Sequence, residues 1–194
     1  MKRKPRSKEE YLLWGSLRLA RDRIGKDPAR CLEWIIRFAQ MDMTALRSEE
    51  RTALAKDLAL FPVVMEWKPP LVGITNAGAV PDATLTTIQA ELRQLFHDLM
   101  EGSAWTVPGQ SHLRILRVSQ EGAAQTEFRA VWETRGNIRD AVFASVARLL
   151  LEHGQKVRAC PECRRVFVAN RRQAYCTARC SQAVRNQRRK EKEG

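Results

Sequence analysis

Four cysteines in one short basic segment constrain this chain more than any other feature. In CPECRRVFVANRRQAYCTARC, Cys160 and Cys163 are separated by two residues, Cys176 and Cys180 by three, and twelve residues lie between the pairs. A Cys-x-x-Cys turn aims two sulfurs at a centre about 2.3 Å away, and a second pair one helical turn apart completes a closed four-thiolate shell. The spacing therefore predicts one structural Zn2+ held by Cys160, Cys163, Cys176 and Cys180. In a reducing compartment such a cluster reads as metal ligands rather than as two disulfides. A closed shell keeps no position for water, so the metal is not expected to catalyse anything.

The charge is concentrated around those cysteines. From Lys156 to Gly194 there are twelve Lys/Arg and three Glu, a net +9 out of the chain's +12, which leaves +3 for residues 1–155. Four thiolates on a divalent ion carry −2, so metal trims the tail to about +7 without reversing its sign. A polyanionic partner suits that distribution. The N-terminus begins basic but offers neither the apolar run nor the cleavage site of a secretion signal, and no window is apolar enough to span a membrane. The expected location is cytoplasmic, with no membrane partner.

Residues 1–155 read as a mainly helical domain with one inserted hairpin. Ser7 and Glu10 form a capping box before a first helix that ends at Gly25. Asp27 and Pro28 start a second, running to about Leu46, whose Leu32, Ile35, Ile36 and Ala39 are flanked by Trp34 and Phe38. So broad an apolar stripe implies burial between neighbours. A third helix opens at Ser48 and stops at Pro62; a long irregular stretch follows from Val63 to Pro81. Asp82 caps a fourth helix that ends at Gly102. HLRILRVS and TEFRAVWET are strand-like, with a turn expected over Gln120–Ala124, and Asn137 caps a last core helix that ends at Gly154.

This domain reveals no catalytic constellation. His97, His112 and His153 are scattered through different elements, and Cys31 sits in the apolar run CLEWIIRF as a buried, inert thiol. There is no phosphate-binding glycine loop, HExxH or nucleophile elbow. The chain is not expected to be an enzyme.

The tail, residues 156–194, reads as knuckle, hairpin and helix. Val166–Val168 and Gln173–Tyr175 are the expected strands, and Phe167, Tyr175 and Val184 the small apolar filling. Advancing 100° per residue from Cys180 places Ala183, Val184 and Gln187 on the metal side and Gln182, Arg185, Asn186 and Arg189 opposite. Arg179, Arg188, Lys190 and Lys192 flank that ridge. Amides pair two-pronged with adenine and guanidiniums with guanine, while the flanks suit phosphate. A solvated charged face that merely finishes the metal fold is the competing reading of the same residues.

The last 35 or so residues resemble the C-terminal zinc finger of the bacterial CGNR-type proteins. Cys160, Cys163, Phe167, Arg171, Arg172, Tyr175, Cys176 and Cys180 occupy the matching places. The namesake Cys-Gly-Asn-Arg is here Cys180-Ser181-Gln182-Ala183, and Val168 and Ala169 stand where an acidic residue is usual. The resemblance implies a DNA-binding regulator. The expected architecture is thus a mainly α protein with a small β-hairpin, a helical domain (1–155) preceding a treble-clef-like zinc finger (156–194). The expected partner is nucleic acid, DNA favoured over RNA, contacted through Arg171, Arg172, Arg179, Gln182, Arg185, Asn186, Arg188, Arg189 and Lys190. The helical domain would sense a small molecule or protein effector. An RNA-binding or ribosome-associated factor, an enzyme with the finger as accessory, and a protein-interaction module are the alternatives.

Overall fold

Gly25 separates the first two helices of the computed structural model, which describes residues 8–65, 80–104, 106, 110–118, 127–135, 137–171 and 173–193. Helix α1 (Lys8–Ile24) ends where Gly25 takes a φ of 139°. A Cβ there would lie 2.6 Å from the Cβ of Arg30, so the turn admits no side chain. Ser7, half of the expected capping box, lies outside the described residues.

Helix α2 (Pro28–Ala39) is the element around which the others pack. It begins as expected, the Asp27 carboxylate accepting from the Arg30 N–H at 3.0 Å with Pro28 in the first turn. Its broad stripe is buried because α1, α4 (Asp82–Met100), α5 (Ile138–His153) and strand β4 (Val166–Val168) all contact it. Leu32, Ile35 and Ala39 are wholly inaccessible, and the Trp34 ring stacks on Phe38 and on Phe61 of α3 (Ser48–Met65), with centroids 5.8 and 5.5 Å apart. Cys31 is buried as expected, its Sγ 3.7 Å from the Gly25 carbonyl.

The helix stops at Ala39, not near Leu46. Its last carbonyls are taken by side chains of α4: Gln89 Nε2 donates to Phe38 O (2.9 Å) and Arg93 Nε to Ala39 O (3.0 Å), and Gln89 Nε2 also reaches Met41 O just beyond the helix (2.8 Å). Partners from another helix thus replace the next turn. Asp42 then accepts from the Thr44 N–H at 3.0 Å and opens a separate 3-10 turn, Met43–Ala45.

Helix α3 (Ser48–Met65) passes through Pro62, which was expected to end it. Proline removes one ladder bond, but Leu58 and Phe61 before it and Val63 and Val64 after it are buried, and that packing carries the helix onward. The irregular stretch expected from Val63 therefore starts later; residues 66–79 lie outside the described residues. Asp57 of α3, 4% exposed, accepts a two-pronged bond from Arg23 of α1, Nε to Oδ2 at 2.7 Å and a terminal nitrogen to Oδ1 at 2.5 Å.

Helix α4 (Asp82–Met100) is capped by Pro81 rather than Asp82. Extended Pro81 occupies the cap position, and Asp82, one residue later, accepts from Arg51 of α3 at 3.0 Å. Strands β1 (Gln110–Val118) and β2 (Glu127–Arg135) form the expected antiparallel hairpin, Leu113 opposite Trp132; the turn at Gln120–Ala124 lies outside the described residues. Helix α5 (Ile138–His153) starts at Asn137, whose side chain accepts from the Asp140 N–H at 3.1 Å, and buries Val142, Phe143, Val146 and Leu149. Gly154 keeps a right-handed φ of −59° and leads into a 3-10 turn instead of a left-handed stop.

A second antiparallel ribbon, β3 (Val157–Ala159) with β4 (Val166–Val168), and helix α6 (Ala178–Glu193) complete the order. Val157 belongs to the main core, and Val166 and Val168 pack against it. The architecture is mainly α with a two-stranded hairpin, followed by four clustered cysteines. Among the described residues no helix is long and apolar enough to cross a membrane.

Candidate metal centre and basic helix

The first cysteine pair sits on the turn of the β3–β4 ribbon. Cys160 N donates to Arg165 O at 2.9 Å and Arg164 N to Cys160 O at 2.8 Å, closing CPECRR into a knuckle with Arg164 left-handed at φ 59°. Strand β4 therefore pairs with β3, which precedes the knuckle, and not with Gln173–Tyr175 as expected. The reason lies in Gln173. Its side chain accepts from the Asn170 N–H (3.2 Å) and donates to Tyr175 O (2.9 Å), so the backbone of this segment finds partners without a strand. Arg171, at φ 47°, turns the chain between them.

The second pair is placed by a helix start. The Thr177 hydroxyl accepts from the Cys180 N–H at 3.3 Å and the Thr177 carbonyl from the Ser181 N–H at 3.2 Å, making Thr177 the cap of α6. Cys176 lies just before that cap and Cys180 in the first turn. All four sulfurs fall within 4.8 Å of one another, with Cys163–Cys176 at 3.4 Å and Cys176–Cys180 at 3.7 Å. A tetrahedron of sulfurs about 2.3 Å from an ion has edges of about 3.8 Å. The four cysteines fit one metal ion.

The surroundings favour thiolate at one end of the cluster. Burial opposes ionisation of Cys160, but the backbone N–H groups of Cys176, Cys163 and Glu162 outweigh it and bring the thiol down to about 6. Cys176 is pushed up to about 12 by burial and by hydrogen bonding with the Cys163, Cys160 and Cys180 side chains. The metal-free cluster therefore retains protons that a bound cation displaces. Cys160 is buried, Cys176 and Cys180 are half-buried, and Cys163 is exposed.

Beyond the sulfurs, α6 presents its basic residues to solvent. Arg179, Gln182, Arg185, Asn186, Arg188, Arg189 and Lys190 are all exposed, as is Arg171 on the preceding turn; Arg172 lies outside the described residues. Gln182 Nε2 donates to Asn186 Oδ1 at 3.2 Å along the outer ridge. The inner face differs from expectation. Ser181 and Val184 are half-buried beside Cys180, whereas Ala183 and Gln187 are exposed, so the helix is rotated toward Ser181. Gln187 lies two turns along, where its amide pairs with Glu191 at 3.2 Å instead of facing the sulfurs.

Compared with protein-family models, curated proteins and solved structures, the chain matches none. The assignment of the site thus rests on its own residues. Thr177, Gln173 and Gln40 were missed at the sequence level. A threonine three residues before Cys180 is a capping signal available in principle; the two glutamines carry none, because their partners are backbone atoms brought close by folding. His97 lies exposed beside Asp98 at 3.6 Å and His153 is at the end of α5, each a helix-end residue.

Proposed function

We propose that this chain is a zinc-dependent nucleic-acid-binding protein, a bacterial DNA-binding regulator of the CGNR type whose finger contacts DNA through α6. One observation carries the reading: four sulfurs within 4.8 Å of one another lie at the start of a helix on which eight of the eleven residues described as exposed are basic or amide. Zinc suits a closed four-thiolate shell, and its binding energy would order a module with little core of its own. Exposed guanidiniums and amides on a helix provide the chemistry for base edges, and Arg179, Arg188 and Lys190 that for phosphates. The helical domain would receive a small molecule or protein effector.

The test is a salt titration of the zinc-loaded protein against duplex DNA, structured RNA and single strands. Five phosphate contacts by α6 give a log–log slope of about −4.5 on duplex DNA, and further contacts steepen it. Much tighter binding to RNA than to any duplex would overturn the regulator reading. Elemental analysis of the reduced protein should give one zinc per chain.

A further inference from the structure

A groove of about 1190 Å³ lies between α2 and the metal module. It is lined on the module side by β4 and extends to Cys176 and Thr177, where α6 begins. On the helical-body side, Arg30 and Arg37 are offset by Asp27 and Glu33, at 3.8 and 4.0 Å, and Asp42 adds a third carboxylate. The module side is different. Lys156, Arg158, Arg165 and Arg171 line it, all exposed, with no acidic residue among the module's lining positions. None of these four side chains has a hydrogen-bond or ion-pair partner among the described residues.

Their positions are fixed by backbone that the metal module itself holds. Arg158 stands opposite Phe167 in the β3–β4 register, on the ribbon face away from buried Val157. Arg165 accepts the knuckle bond from Cys160 N through its carbonyl, and Arg171 occupies the left-handed turn. Four like charges held at set backbone positions repel one another, and a polyanion converts that repulsion into attraction. Half-buried Phe167 adds an apolar surface on which a sugar or base can pack.

We propose that this groove seats the sugar–phosphate backbone of one strand of the nucleic acid that α6 engages, held along the cations of its module wall, so that the β3–β4 ribbon and α6 grip it together. The inference builds on the nucleic-acid reading above and adds a second contact surface to it. The ligand chemistry is a chain of phosphodiesters: cations line one continuous wall, and that wall leads to the first turn of the proposed reading helix.

The zinc-loaded full chain is titrated with salt against a labelled duplex long enough to extend past α6 on both sides. Wild type is expected to show a slope near −8, from about five contacts on α6 and four in the groove. The variant Lys156→Gln, Arg158→Gln, Arg165→Gln, Arg171→Gln should fall back to about −4.5 while keeping its zinc. Lys156 acetylation, read by mass spectrometry on wild-type protein, should slow several-fold when duplex is added. This second readout needs no variant to fold. If wild type binds but the glutamine variant keeps its slope, or Lys156 is not protected, the groove proposal falls and the α6 reading stands. If the wild type binds no nucleic acid, both fall together. If the slope changes on structured RNA alone, the groove is upheld and the duplex-DNA reading is lost.

Discussion

The side-chain amide of Gln40 donates to the carbonyl of Val166 at 2.8 Å, tying the C-terminal end of α2 to the strand that leaves the metal knuckle. Together with Val157, Val166 and Val168 against the core, this bond sets how the module sits on the helical body. Gln40→Ala leaves the carbonyl without that donor and should cost about 1 kcal/mol. Thermal unfolding of the zinc-loaded protein should show a midpoint lower by about 2–4 °C. Metal content should be unchanged, since Gln40 makes no bond to any of the four cysteines. An unaltered midpoint would mean that the ribbon is held by its apolar contacts alone.

Cys160→Ser or Cys176→Ser removes one of the four ligands and should release the metal. Helices α1 to α5 draw their burial from one another, so far-UV circular dichroism should lose at most the contribution of α6. Elemental analysis and the dichroism spectrum check both halves. Collapse of all helicity would show that the body cannot fold without the metal module.

The Asp57 carboxylate is buried and its partner Arg23 is half in solvent, with relative exposures of 6% and 49% for the two side chains. Asp57→Asn removes the charge from a two-pronged bond between α1 and α3. The loss should fall below the ~3–5 kcal/mol of a fully buried pair, at roughly 1–3 kcal/mol, because water already screens Arg23. Urea unfolding of Asp57→Asn, Arg23→Gln and the double variant measures the coupling. Strictly additive losses would remove the pair from the account of how α1 is held.

Where the sequence was legible, the cause was local. Asp27 and Asn137 cap their helices because a side chain needs only the next three residues to do so, and the paired cysteines announce a shared centre by spacing alone. Other features were settled from a distance. α2 ends early because Gln89 and Arg93, some fifty positions on, take its carbonyls. α3 continues through Pro62 because buried neighbours outweigh one lost bond. Strand β4 chose β3 over Gln173–Tyr175 because the Gln173 side chain satisfies that segment's backbone, and a propensity reading contains no term for such a contact.

Burial first of all, with the Asp27 charge adding to it, pushes the Cys31 thiol up to about 11 from an ordinary value of 9.0. A raised pKa stabilises the fold through the neutral form. That contribution is fully present below pH 9 and is lost as pH rises toward 11. Unfolding free energies of wild type and Cys31→Ala, both zinc-loaded, should therefore converge over that window by roughly 2–3 kcal/mol. Iodoacetamide at pH 8 should leave Cys31 unmodified in the native protein. Ready alkylation would show that the site opens without global unfolding.

Arg185 and Arg189 lie one turn apart on α6, both exposed, whereas Cys180, Ser181 and Val184 are half-buried. Replacing both with alanine should leave the metal shell intact, because alanine favours helix and no ligand contact is lost. Affinity for duplex DNA should fall, and two effects are separable. Loss of a phosphate contact weakens all sequences alike and flattens the salt slope by about 0.9 per contact. Loss of a guanidinium that reads a base removes about 1–3 kcal/mol of discrimination at one position and leaves the slope nearly unchanged. Measuring salt dependence on a selected site and on random duplex therefore tells which role each arginine has. Unchanged affinity on both would exclude this ridge from the interface and leave α6 as a solvated helix that only completes the metal fold.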